Sequence, residues 1–150
     1  MLYVGIDNGS SGGIAVLTQD GGVWRADPMP PTDPEILELL TAVRAMIYKI
    51  GDCHAVLEHA QAFPGMGVSG AFNYGRGYGA MQMALLACGI PYDVVTPTKW
   101  QSKLGCLSGG KKTITKARAE KLFPQLKITH AVADALLIAE YCRRMHQGVL

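Results

Sequence analysis

The apolar positions of the chain change period along its length, and those changes divide it into elements. Leu2 to Ile6 is a short apolar run, Ile14 to Leu17 a second and Val23 to Ala26 a third, separated by the turn-prone stretches Asn8–Gly13 and Asp20–Gly22. Short β-branched runs joined by tight turns predict an antiparallel meander. From Asp33-Pro34 onward the spacing becomes helical. Ile36, Leu37, Leu40, Val43 and Ile47 fall on one face before Gly51, with Asp33 as the expected N-cap and Pro34 in the first turn. Ala55–Leu57 predicts a fourth strand ending in Glu58. A loop rich in glycine and aromatic residues is expected from Ala60 to about Gly70, a helix from Phe72 to Ala87, and a fifth strand over Pro91–Val95. Helices over 97–104, 111–122 and from about 129 to 145 complete the chain. Strands alternating with helices predict an α/β domain, a mixed sheet flanked by helices, with residues 1–150 forming one unit.

Composition narrows the class. Hydrophobic residues make up 49% and charged residues 17%, which describes a folded globular chain and excludes a disordered one. No apolar run has the length of a membrane span. Met1 leads straight into a strand-like run, so no signal peptide is expected. Four dispersed cysteines without a CxxC pair predict reduced thiols in a cytoplasmic setting, not zinc or a disulfide framework. The net charge of +2 decides little, but its distribution matters. Between Leu104 and Arg118 stand Lys111, Lys112, Lys116 and Arg118 with no acid, and Lys99 and Lys103 lie just upstream. Such a cluster suits a phosphate-binding surface, and equally a solvated helix. Phe63 and Arg76, in the glycine- and aromatic-rich region, are candidates for base stacking and backbone contact.

Three carboxylates stand at costly positions. Asp7 and Glu58 each end an apolar strand. Asp134 sits in the middle of Ala131–Ala139, apolar on nearly every side, with no Lys or Arg within four residues. His130 precedes Asp134 by one helical turn. Oxygen donors converging from two strands and a helix suit Mg²⁺ or Mn²⁺, and two such ions can clamp an in-line phosphodiester displacement. The segment Gly105–Lys111 approaches a phosphate-binding P-loop, but Lys112 stands where Ser or Thr is required and no buried strand precedes it, so that reading is rejected.

The stretches GIDNGSSGGIAVL, VLEHAQAF, PTKWQSKLG with KKTITKARAEKLFP, and HAVADALLIAEY, in that order, resemble the RuvC family of Holliday junction resolvases, particularly its compact viral or phage-type branch, in the RNase H-like superfamily. The resemblance implies a five-stranded mixed sheet and a homodimeric, metal-dependent endonuclease that nicks branched DNA symmetrically. It implies Asp7, Glu58 and Asp134 as metal ligands for two Mg²⁺ or Mn²⁺ ions, with His130 near the fourth position. Relatives often carry an aspartate three residues before the last ligand, where this chain has Ala131. The compartment expected on this reading is the cytoplasm, of the host if the source is viral. Other readings are a nuclease for flaps, branched DNA or RNA–DNA hybrids, a non-catalytic junction- or RNA-binding module on the same fold, and a fragment of an actin-like kinase or ATPase. The last requires two related domains around a cleft, and the pattern shows one core.

Overall fold

The computed structural model describes the backbone of residues 1–150 and the side chains of all of them but Tyr48 and Ile50. Five strands, β1 (Leu2–Asp7), β2 (Gly13–Thr18), β3 (Val23–Pro28), β4 (Cys53–Glu58) and β5 (Tyr92–Val95), form one sheet in the order β3-β2-β1-β4-β5. The first three pair antiparallel as the expected meander, whereas β4 joins β1 and β5 joins β4 in parallel. Five helices surround the sheet: α1 (Asp33–Ile50), α2 (Val68–Ala87), α3 (Pro97–Lys103), α4 (Lys112–Leu122) and α5 (His130–His146).

The period-two alternation of the strands builds two cores. Leu2, Val4 and Ile6 of β1, with Ile14 and Val16 of β2, face α1 and α2, where Leu40, Val43, Met81 and Leu85 meet them. Tyr3 of β1, Ala15 and Leu17 of β2 and Val56 of β4 face the other way, toward α5, α4 and α3. Gly5 shares this second face, and α5 lies directly on it. A Cβ at Gly5 would overlap the backbone of Ala135 and Ala139, so the small residues of β1 and α5 permit backbone-to-backbone approach. This contact fixes the height of α5, and with it the position of Asp134.

Two boundaries differ from the pattern. The N-cap of α1 is Thr32, not Asp33: its side chain accepts from the Glu35 amide while the Glu35 carboxylate accepts from the Thr32 amide, a reciprocal capping box. Helix α2 begins at Val68, four residues before Phe72, and runs through Gly70, Gly75, Gly77 and Gly79. Each helical glycine costs about 1 kcal/mol relative to alanine. Burial of Met81 and Leu85 and the Arg76–Asp33 ion pair to α1 offset that cost. No described helix is long and apolar enough to cross a membrane.

Candidate active site

Strands β1 and β4 are parallel neighbours with Ile6 opposite Leu57. Asp7 and Glu58 therefore follow at the same level and, by alternation, on the α5 face. Asp134 comes down onto that level from the second turn of α5. Asp7 is 6% exposed and Asp134 9%, and Glu58 is half-buried. Desolvation is the largest influence on both strand carboxyls. It lifts Asp7 to about 6, with Asp134 adding to the rise, while the Lys112 ammonium and the Gly9 amide oppose it. Burial likewise lifts Glu58 to about 7, reinforced by the charges of Asp7 and Asp134 and opposed by Trp100 and Lys112. The charge of Asp134 thus opposes ionisation of both strand carboxyls, and that of Asp7 opposes ionisation of Glu58.

Two partners of this trio are not evident in the sequence. The indole Nε1–H of Trp100, on α3, donates to Glu58 Oε1 at 2.8 Å, and the ring itself is fully buried. Trp100 thereby fixes the Glu58 carboxylate from the side of the core. Lys112, expected on the phosphate-binding surface, instead reaches inward. Its Nζ lies 3.9 Å from Asp7 Oδ2 and 3.8 Å from Asp134 Oδ2. The expectation that Asp134 has no neutralising cation holds along the chain and fails in space, because α4 delivers one from 22 residues upstream. The shared helical face of Lys112 and Lys116 also carries the buried Thr115 and Ala119, so it is the packed face of α4.

The carboxylates suit an oxygen-coordinated cation. Asp134 Oδ1 is buried and lacks a hydrogen-bond partner, and a lysine ammonium already bridges two of the acids. An orphaned buried carboxylate oxygen calls for a cation, and hard oxygen donors select Mg²⁺ or Mn²⁺. Among the described residues, no three His, Cys, Asp or Glu side chains are yet drawn close enough to hold a metal as they stand. His130 opens α5, exposed and one turn before Asp134, and no hydrogen bond or ion pair ties it to the other acids among the described residues.

The remaining predicted residues divide. Phe63 is 61% exposed and borders a hollow of about 500 Å³ shared with Glu58, Met66, Tyr74 and Pro97. Tyr74, another aromatic of the glycine-rich region, stands between that hollow and a second of about 580 Å³ lined by Asn8, Ser10 and Asn73. Its phenol is pushed up by burial and by the charges of Glu58 and Asp7. Arg76 is held by Asp33 at 2.7 Å, and Lys116 pairs with Glu120 at 3.6 Å. The Arg118 Nε is buried without a partner. Lys99, Lys103 and Lys111 are exposed and have no acidic partner among the described residues. The loop Gly105–Gly110 follows a helix, α3, where a P-loop needs a strand.

No family model matches the sequence, and no curated protein is similar to it at the sequence level. Solved structures do match. The RuvC structure from Thermus thermophilus superposes with a TM-score of 0.65 at 19% identity, covering 99% of this chain and 98% of that one. T. thermophilus RuvC in complex with a Holliday junction substrate gives 0.64 at 19% identity, over 99% and 97%. The yeast mitochondrial Holliday junction resolvase Ydc2 gives 0.52 at 13% identity, over 97% and 79%. At these identities the likeness is one of architecture, and it covers nearly the whole of this chain: the chain has the RuvC-type, RNase H-like fold.

Proposed function

We propose that the protein is a divalent-metal-dependent endodeoxyribonuclease that resolves four-way DNA junctions by paired, symmetric nicks, acting as a homodimer. The observation that carries this reading is the convergence of Asp7, Glu58 and Asp134 from β1, β4 and α5 in a largely buried site with a single nearby ammonium. The fold shared end to end with T. thermophilus RuvC, one of whose solved structures is a complex with a Holliday junction substrate, supports the choice of substrate.

Asp7, Glu58 and Asp134 would hold Mg²⁺ or Mn²⁺, with His130 as a fourth donor. Bound there, the cations would supply Lewis-acid charge compensation for phosphodiester hydrolysis. The chain's own groups do the rest. Trp100 orients Glu58 through one hydrogen bond, and Lys112 offsets part of the charge of Asp7 and Asp134. Lys99, Lys103 and Lys111 attract the DNA backbone. Phe63 and Tyr74 flank Glu58 with aromatic surface on which an unpaired base can stack. On α2, Met83 and Leu86 are more than 60% exposed while Met81 and Leu85 are buried, so the helix keeps an apolar strip for a second copy.

A cleavage panel of four-way junction, flap, RNA–DNA hybrid and linear duplex, in Mg²⁺, Mn²⁺ and Ca²⁺, tests the reading. Paired nicks in the junction alone, with Mg²⁺ or Mn²⁺ and not Ca²⁺, are expected. Preferential cleavage of flap or hybrid would transfer the same chemistry to another substrate and overturn the junction assignment.

A further inference from the structure

The donor that holds Glu58 is placed by sheet register and one turn of helix. Glu58 stands opposite Val95 of β5, and the Val95 carbonyl accepts from the His59 amide at 2.8 Å. Thr96 and Pro97 open α3 directly after that strand, and the Trp100 amide closes its first turn on the Thr96 carbonyl. The turn brings the indole back to Glu58 and into a core shared with Val95, Leu104 and Phe123, where it is fully buried. Close packing confines the ring, and its Nε1–H meets Glu58 Oε1 at 2.8 Å.

Two kinds of donor divide the acids between them. Lys112 offers its positive charge to Asp7 and Asp134, at 3.9 Å and 3.8 Å. Trp100 offers Glu58 a neutral N–H, which fixes the carboxylate without cancelling its charge. Only Oε1 is engaged, and among the described residues nothing donates to Oε2. We propose that Trp100 is a positioning residue that sets the cation preference of the site read from Asp7, Glu58 and Asp134, a role that stands on that reading. By holding Oε1, the indole restricts Glu58 to binding a cation through its other oxygen. One oxygen suits the strict octahedral shell of Mg²⁺ or Mn²⁺. Ca²⁺ is larger, takes about six to eight oxygens and can grip both oxygens of one carboxylate, which the indole denies it.

The test is calorimetric titration of the full chain with Mn²⁺ and with Ca²⁺, which reads binding without DNA or turnover. One variant is W100F. Because a smaller ring can loosen the core, the second is a W24F chain in which the benzothienyl isostere of tryptophan replaces Trp100. The isostere keeps the bicyclic shape and has sulfur in place of the N–H, and W24F with Trp100 intact is its reference. Loss of a hydrogen-bonded support should weaken Mn²⁺ binding about 10–100-fold in both variants. Ca²⁺ binding should weaken less, so the preference for Mn²⁺ over Ca²⁺ should narrow by about tenfold. An unchanged preference in the isostere would overturn the role of the N–H whatever W100F does, while Mn²⁺ binding that is lost in D7N would leave the cation site standing. Absence of Mn²⁺ binding in the wild type, or equal binding in D7N, would overturn the site and this role with it.

Discussion

One face of the sheet carries two poles built from the same three elements. At one end β1, β4 and α5 contribute Asp7, Glu58 and Asp134, and at the other Tyr3, His54 and His146. The second pole is locally satisfied: Asp93 holds His54, the Cys142 carbonyl holds His146, and the Cys142 thiol donates to the His54 carbonyl. The first is not. Asp134 raises the proton affinity of Asp7 and of Glu58, one lysine serves Asp7 and Asp134 at nearly 4 Å, and one buried oxygen has no partner. The poles share their backbone geometry and differ in unmet charge, and on the proposed reading the pole with unmet charge in a buried place is the one that takes a cation. It also lies at the C-terminal ends of β1 and β4, the end of a parallel pair where open α/β sheets place their ligands.

The largest test of this contrast is removal of the charge itself. D7N and E58Q should each abolish junction cleavage while leaving junction binding near the wild-type level, measured by gel cleavage and by mobility shift. Loss of binding in step with cleavage would place these residues in folding or DNA contact instead. Next in size is His130, exposed and one turn before Asp134. H130A should lower the cleavage rate by about 10²-fold, and H130D should retain Mg²⁺-dependent activity, because a carboxylate can replace the imidazole as a donor. Wild-type rates in H130A would leave the site resting on three carboxylates.

The basic surface should respond more gently. K99A, K103A and K111A should each reduce the slope of log affinity against log salt by about one unit, as expected for a lost phosphate contact. K116A should change it less, because Lys116 already pairs with Glu120. The smallest effect is on stability. Asp7 and Glu58 titrate above their unfolded values, so the metal-free fold binds more protons than the unfolded chain between about pH 4 and 7. Its Tm should fall as pH rises through that window. Below it, both states are protonated and the loss is absent. In the D7N/E58Q double variant the decline should flatten, and an equal decline would assign it to other groups.

Much of this was legible in the residues. The meander, the helical spans and the three costly carboxylates all follow from local pattern, because strand alternation and helix period are short-range signals. The start of α2 was not, since the residues from Val68 to Gly70 read as the end of the glycine-rich loop, although α2 already includes them. Thr32 was hidden behind Asp33, an equally good cap in sequence terms. The role of Lys112 was hidden more deeply. On its own helix it belongs to a basic cluster, and only the docking of α4 on α5 carries its ammonium to Asp7 and Asp134. Trp100 lies 42 residues from Glu58, and no local pattern joins them. The Lys112 and Trp100 misses are contacts between elements distant in sequence, where a one-dimensional reading has no register.

The account stands on the carboxylate pole being a cation site for which Lys112 is the resident substitute. Mn²⁺ titration of the wild type, D7N and K112Q by calorimetry at neutral pH addresses that directly. The prediction is that D7N binds Mn²⁺ far more weakly than wild type, whereas K112Q binds it more tightly, since the ammonium no longer competes for Asp7 and Asp134. Equal Mn²⁺ affinity in wild type and D7N would contradict it.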